Sequence, residues 1–294
     1  MNLLDGKLVS DRIKAEIAAE VKTKMLDAGK DTPHLAAVLV GEDPASQTYV
    51  AAKEKDCREV GFISSVYRYP ASISQTKLLE AILFLNNDPE IDGFIVQLPL
   101  PGHIDENKII ETIDPAKDVD GFHPLNVGRM VLNIPSYLPA TPYGIITLLE
   151  YYKIETEGKH CVVLGRSNIV GTPISILLSR KSKTGNATVT LCNSHTPNLQ
   201  AIAATADILI VAMGKKEFVT AEMVKQDAVV IDVGIHRVHS EATKSGYRLV
   251  GDVNFNEVAK KCSYIAPVPG GIGPMTRVSL LLNTLKAAKK EIKF

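Results

Sequence analysis

The chain has no CxxC pair; its four cysteines, Cys57, Cys161, Cys192 and Cys262, lie far apart. That spacing argues against a disulfide framework and a zinc knuckle, and it fits a reducing cytosol. The seven histidines supply no metal-ligand set either. His236 and His239 stand three apart, but no acid or thiol is placed to complete a site. Charge of one sign is missing as well. Lys plus Arg and Asp plus Glu each number 33, a formal net charge of zero. This balance gives no support for nucleic acid or a membrane surface as the main partner, so local charges must hold any anionic ligand. No apolar run approaches the ~20 residues that span a bilayer. The stretch MNLLDGKLVSDRIKAEI lacks the apolar core of a signal peptide. Repeats and low-complexity segments are also absent. The expectation is a soluble cytoplasmic protein without a metal.

What is present is alternation. With 294 residues, 45% of them apolar, the chain has material for one large domain or, better, two. Lys7 to Ala28 reads as an amphipathic helix stopped by Gly29, and HLAAVLV (34–40) as a buried strand closed by Gly41. Residues 44–60 return to helical spacing before Gly61; FISSVYRY (62–69) reads as a strand, 75–86 as a helix, and GFIVQLPLP opens on another buried strand. Apolar strands alternating with helices predict a parallel sheet covered on both faces. From Asp114 to Pro142 the pattern breaks into a loop with five prolines, which is either functional or a boundary and is read as both. Beyond it come a helix (143–152), CVVLG, a helix (170–179), then ATVTL, ADILIVAM and AVVIDVG as strands, a second alternating unit of the dinucleotide-binding kind. PMTRVSLLLNTLKAAKKEIKF closes the chain as a helix that could cross back to the first domain.

VVLGRSNIVGTP (162–173) is a strand, a polar turn and a helix start, with Gly165 and Gly171 at the turn. Backbone N–H groups and the positive end of a helix hold a pyrophosphate in such a cradle, and glycine lets the backbone approach it. The spacing is GxSxxxG rather than GxGxxG, so an ordinary turn stays open on the motif alone. The next strand ends LCNSHT, without the acid that would accept from a ribose 2′-hydroxyl. Ser194, His195 and Thr196 stand there instead, and Arg166 supplies a fork for phosphate. The pattern favours NADP over NAD, with Arg166 and Ser194 weighted above His195.

YVAAK places Tyr49 and Lys53 one helical turn apart. A short-chain dehydrogenase would carry such a pair well after the cofactor turn, whereas here it precedes Gly165 by more than a hundred residues, so that reading drops out. Alone, the pair is most simply a helix face with a snorkelling lysine. Three further features shift the balance. Gln97 follows a buried strand, beside Pro99 and Pro101, one of which is a candidate cis peptide. Asp118 and Asp120 sit in the long loop, and PVPGGIGPMT (267–276) is a glycine-proline wall leading into the last helix.

Across nearly its full length, through DGKLVSDRI, GEDPASQTYVAAKEKDCREVGF, GFIVQLPLP, KDVDGFHPLNVG, ATPYG, GRSNIVGTP, VIDVGI and PVPGGIGPMT, the chain resembles the bifunctional methylenetetrahydrofolate dehydrogenase/methenyltetrahydrofolate cyclohydrolase family. The resemblance implies two α/β lobes around a cleft, the second Rossmann-like. Residues 1–139, rejoined by 274–294, would form the folate-binding catalytic domain, and 140–273 the NADP-binding domain. It implies Lys53 as the catalytic lysine, Tyr49 packing on the folate ring, Gln97 contacting the lysine and Asp120 holding the pterin. Val96 and Leu98 would line the folate slot with Gln97, and Pro269, Gly270, Gly271 and Gly273 would close its far side. Gly165, Arg166, Ser167, Ser194 and Ile235 match nucleotide contacts. A homodimer is implied as well. Two positions depart from the family's commonest wording: Ala140 where a cysteine is frequent, and Asn254 where GDVDF has an acid. Neither lies at a presumed reacting centre. Retention of only one activity, NAD dependence, and a nucleotide-sensing protein without turnover are the competing readings.

Overall fold

The computed structural model describes residues 1–26, 31–241, 243 and 246–294. From the N-terminus the elements are β1 (Asn2–Leu3), α1 (Gly6–Glu20), a π-helical turn (Val21–Leu26), β2 (His34–Val40), α2 (Pro44–Val60), β3 (Ile63–Tyr69) and α3 (Gln75–Asn87). There follow β4 (Gly93–Val96), α4 (Glu106–Thr112), α5 (Pro124–Val131), α6 (Ala140–Tyr151), β5 (His160–Leu164), α7 (Gly171–Ser179), β6 (Thr188–Cys192) and α8 (Leu199–Ala203). The last are β7 (Ile208–Val211), a short 3₁₀ turn (Ala221–Met223), β8 (Val229–Asp232), β9 (His236–His239), β10 (Tyr247–Val250), α9 (Phe255–Val258), β11 (Tyr264–Ala266) and α10 (Ile272–Ala288).

The chain divides into two compact α/β units. One comprises Asp11–Ala140 and Arg277–Phe294, the other Met1–Ser10 and Thr141–Thr276. In the first, three parallel strands run in the order β3-β2-β4. Every residue of β2 and of β4 is buried, the continuous apolar pattern of a strand covered on both faces. Val38, Leu78, Ile82, Phe94 and Val96 make the centre of its core. In the second unit six parallel strands run β1-β11-β8-β7-β5-β6, beside an antiparallel β9–β10 hairpin. Val162, Leu164, Leu209, Val211, Val230 and Ile265 centre that core. The order of connection reverses at β2 in the three-stranded sheet and at β5 in the six-stranded one. Ligand crevices form at the carboxyl ends of such strands.

Three differences from the sequence reading have physical causes. The first ten residues fold with the six-stranded unit because β1 pairs with β11, through Asn2 opposite Tyr264 and Leu3 opposite Ile265. The stretch from Asp114 to Pro142 is not a bare loop but contains α5. His123 caps that helix, its Nδ1 accepting from the Leu125 N–H at 3.0 Å, and Pro124 opens it. Eight residues give too little periodicity to register. The expected first helix is α1 continued by the π-helical turn; its expected end at Ala28 and Gly29 lies outside the described residues.

Candidate active site

In the three-stranded unit, α2 starts where Asp43 accepts from the Ser46 N–H at 2.7 Å and Pro44 opens the first turn; Gly61, at φ 81°, closes it. Val50, Lys53, Cys57 and Val60 follow one another on the buried face. Lys53 is thus a buried amine, 8% exposed, on a side of α2 that also buries Asp56. Its Nζ donates to Gln97 Oε1 at 3.3 Å and lies 5.2 Å from the centroid of the Tyr49 ring. Gln97 directly follows β4. Its backbone N–H donates to Val38 O at 2.9 Å, and its Nε2 donates to Leu98 O at 2.8 Å, which leaves the carboxamide oxygen for the amine. The Leu98–Pro99 peptide is cis. Burial pushes the Lys53 ammonium below the ordinary lysine range; Asp120 and Cys57 pull it upward, and Arg277 adds to the downward pressure.

Asp118 and Asp120 have different work. Asp118 is buried, and its Oδ1 accepts from the Gly121 and Phe122 N–H groups at 3.1 and 3.2 Å. Its Oδ2 accepts from the His123 N–H at 2.8 Å and from Asn126 Nδ2 at 2.9 Å. Burial pushes this carboxyl up to about 7 against those donors. Asp118 builds the turn. Asp120, half-buried, is what the turn presents: burial raises its carboxyl and the Lys53 charge opposes that rise. From α10, Asn283 Nδ2 donates to Val119 O at 2.8 Å and Leu138 O at 2.9 Å, tying both ends of the segment.

In the six-stranded unit, β5 enters α7 through a turn with no room for side chains at its glycines. Gly165 has φ 111°, and a Cβ on it would sit 2.0 Å from Ala212 O. A Cβ on Gly171 would sit 1.9 Å from Gly165 O. Ser167 Oγ accepts from the Val170 and Gly171 N–H groups at 3.2 and 3.4 Å. The turn borders a cavity of about 280 Å³, lined after β5 by Gly165, Arg166 and Ser167, after β6 by Asn193 and Ser194, and after β7 by Lys215. Two of its lining residues are cations and none is an acid. That donor set and the glycine cradle fit a dinucleotide with an added phosphate on its ribose.

With both sites described, the comparison with known families decides the assignment. The profile for the catalytic domain of tetrahydrofolate dehydrogenase/cyclohydrolase matches residues 4–120, and that for its NAD(P)-binding domain matches residues 139–292. The chain belongs to the tetrahydrofolate dehydrogenase/cyclohydrolase family. Among its relatives, the bifunctional protein FolD of Cytophaga hutchinsonii is 61% identical over 288 residues, covering 98% of this chain and 99% of its own. That of Porphyromonas gingivalis is 59% identical over 287 residues, covering 98% and 97%. The crystal structure of the Campylobacter jejuni bifunctional enzyme FolD superposes with a TM-score of 0.92 at 46% identity, covering 99% of this chain and 100% of that one. The Trypanosoma brucei enzyme, solved with NADP cofactor and an inhibitor, gives 0.92 at 37%, covering 99% and 98%. As a member of the tetrahydrofolate dehydrogenase/cyclohydrolase family, the chain is an enzyme.

The residues singled out in the sequence fall into two groups. Tyr49, Lys53, Val96, Gln97, Leu98 and Asp120 belong to the three-stranded unit. Gly165, Arg166, Ser167 and Ser194 come together around the cavity of the other, where exposed Ile235 is not among the lining residues. Ile235 instead lies beside Gly273: a Cβ on that glycine would be 3.8 Å from its Cδ1. Pro269 follows a cis bond, Gly270 O accepts from the Lys7 N–H at 2.9 Å, and the Gly271 N–H donates to Pro267 O at 2.8 Å, all within the six-stranded unit. His195 is exposed and does not line the cavity; its N–H donates to Asn193 Oδ1 at 2.9 Å. Lys215 was not singled out, although its place just past β7 at the sheet's carboxyl edge is a readable signal. Asp56 and Arg277 also escaped. They meet across 221 residues of sequence, and no local pattern announces such a pair.

No helix among the described residues is long and apolar enough to cross a membrane. No group of three or more His, Cys, Asp or Glu among them is placed to hold a metal.

Proposed function

We propose that the chain oxidises 5,10-methylenetetrahydrofolate to 5,10-methenyltetrahydrofolate with NADP⁺ and hydrolyses that product to 10-formyltetrahydrofolate, with Lys53 moving the protons of the second step. The observation that carries this reading is a buried amine held by an uncharged carboxamide, Lys53 on Gln97 at 3.3 Å. When bound, NADP⁺ supplies the hydride acceptor. The chain's part in that step is orientation: Tyr49, Val96 and Leu98 pack against the folate and Asp120 gives a carboxylate to the amino edge of the pterin, while the resemblance adds Pro269, Gly270, Gly271 and Gly273 as substrate-binding residues.

Hydrolysis asks more of the protein. Water must lose a proton as it adds to the bridge carbon, and a nitrogen must gain one as the bridge opens. A lysine at its ordinary value of ~10.4 is protonated near neutrality and cannot accept. Burial lowers the Lys53 value, and a cationic bridge beside it favours the neutral amine further. The amine then takes the proton from the adding water and returns it to the departing nitrogen, while the hydroxyl proton of the adduct leaves to solvent as the formyl C=O forms and the C–N bond breaks. Gln97 orients the amine without adding charge, and Tyr49 polarises it.

Arg166, Ser194 and Lys215 are the groups for the phosphate that distinguishes NADP from NAD, with Gly165 and Ser167 at the pyrophosphate. Loss of a charge-assisted contact of this kind costs about 1.5–3 kcal/mol. Arg166→Ala is therefore expected to raise the KM for NADP⁺ roughly 10- to 100-fold while leaving that for NAD⁺ within a few-fold. Steady-state kinetics with both cofactors decide it; an equal rise for the two assigns Arg166 to general affinity.

The whole reading is tested by supplying methylenetetrahydrofolate with NADP⁺ or NAD⁺ and following reduced cofactor, methenyl and 10-formyl products together. Methenyl accumulating at its spontaneous rate of hydrolysis would remove the second activity. Four buried thiols, none in a disulfide, support a reducing compartment such as the cytoplasm. A homodimer is proposed as well; Leu191, 39% exposed on the edge strand β6, supports a partner at that edge, and light scattering on the purified protein gives the mass.

A further inference from the structure

We propose, resting on the role of Lys53 given above, that Asp56 and Arg277 are positioning residues for the hydrolytic step: the carboxylate anchors a guanidinium near Lys53, where a positive charge favours the neutral amine. Asp56 lies one turn beyond Lys53 on the buried side of α2 and is 4% exposed. Its Oδ2 accepts from Arg277 Nε at 2.5 Å, and its Oδ1 from Lys14 Nζ at 3.3 Å. Lys14 is itself drawn to Glu59 at 2.7 Å and Asp11 at 3.2 Å, so it is shared among three carboxylates, whereas the close contact to Asp56 belongs to Arg277.

As a tie between α10 and α2 alone, the pair would be an indifferent choice. A buried ion pair gains little over apolar side chains of the same volume, because desolvation offsets the attraction. What apolar side chains cannot do is place a charge. Lys53 touches Gln97 after β4 and the ring of Tyr49 on its own helix, and Asp56, one turn along the same buried side, holds Arg277 of α10; the further charged or titratable groups acting on the amine are Asp120 and Cys57. Gln97 is neutral, and burial pushes the Cys57 thiol up to about 12, so it stays protonated at neutral pH. Asp120 and Arg277 are then the opposed charges, one stabilising the ammonium and the other disfavouring it. Asp120 is also needed for the substrate in the reading above. The protein can retain that carboxylate and still keep an amine that gives up its proton if a cation is fixed nearby, and Asp56 fixes it.

The direction follows. If neutral Lys53 is the active form, cyclohydrolase activity rises with pH through the Lys53 value. Removing the Arg277 charge makes the amine easier to protonate, so the rising limb moves to higher pH. On the acid side of the limb, each unit of displacement lowers the rate about tenfold. The experiment measures pH profiles of kcat/KM for cyclohydrolase and dehydrogenase in full-length Arg277→Met, Arg277→Gln and Arg277→Lys. Met keeps most of the arginine stem's packing, and Lys keeps the charge. The expected result is an alkaline displacement of the cyclohydrolase limb in Arg277→Met and in Arg277→Gln, near-wild-type behaviour in Arg277→Lys, and dehydrogenase profiles that do not move. A cyclohydrolase limb that stays in place in Arg277→Met, with a lowered melting temperature, makes the pair a structural tie and overturns the proposal. If Arg277→Met does not fold, Arg277→Gln with an unmoved limb overturns it equally. Failure here is distinguishable from failure of the Lys53 reading, because the latter shows as cyclohydrolase activity surviving in Lys53→Met.

Discussion

Lys53→Met is expected to lower cyclohydrolase activity roughly 10²- to 10⁴-fold, the range a positioned acid-base group contributes. Methionine suits the site sterically, because Lys53 stands in a row with Val50, Cys57 and Val60 on the buried side of α2. Its thioether removes the donor to Gln97 Oε1 without opening a large cavity. The dehydrogenase step should stay within about tenfold of wild type, since the bridge cation is stabilised by its own nitrogens and that step needs mainly orientation. Separate assays, one from methenyltetrahydrofolate and one reading NADPH, resolve the two. A parallel loss of both activities contradicts this division of labour, and so does a variant whose cyclohydrolase keeps the pH profile of the parent.

Gly121→Ala is expected to reach both activities through the fold. Gly121 sits at φ 75° directly after Asp120, and a Cβ there would fall 2.6 Å from Leu138 C and 2.7 Å from both Leu138 O and Pro139 N. Left-handed backbone costs a non-glycine residue about 1–2 kcal/mol, and overpacking a further ~1–3 kcal/mol. The obstacle is backbone, and Asn283 holds Leu138 O from the other side, so the segment has little freedom to retreat. A melting temperature lower by roughly 5–15 °C is the expected reading. A raised KM for folate in both reactions should accompany it, since Asp120 is displaced with its neighbour. Gly102→Ala is the control, because a Cβ at that position meets nothing within 4 Å. If Gly121→Ala melts with the control, the turn held by Asp118 is softer than its four donors indicate.

Much of this was legible because it is local. The strand His34–Val40 and the helix Pro44–Val60 are bounded in the sequence by the residues that bound them in space: Gly41, the cap at Asp43 with Pro44, and Gly61. The glycine turn after β5 announces itself by spacing, and the fork of Arg166 and the missing acid after β6 can be read without coordinates. Elements made by distant partners were not legible. Two residues of β1 carry no strand signal; they are a strand because β11 lies beside them. The eight-residue α5 carries too few turns for its period to appear. The sequence shows Asp118 and Asp120 as an equivalent pair, and only the four donors converging on Asp118 separate the residue that shapes the turn from the one the turn presents. Arg277 falls in a helix that reads as apolar, and its relation to Lys53 runs through Asp56.

The chain's route through its two units has a consequence for synthesis. It starts in the six-stranded unit, leaves at Asp11 to build the three-stranded one, returns at Thr141, and leaves again at Arg277. On a ribosome, β1 therefore waits for β11 until residues 264–266 have been made, and the Asp120 turn waits for Asn283. Neither unit can assume its native contacts in order of emergence, domain by domain. Until Tyr264–Ala266 is made the six-stranded sheet lacks β11, and the three-stranded unit, whose strands are all made by Val96, waits longer still for Arg277–Phe294, a state that favours chaperones or rapid closure.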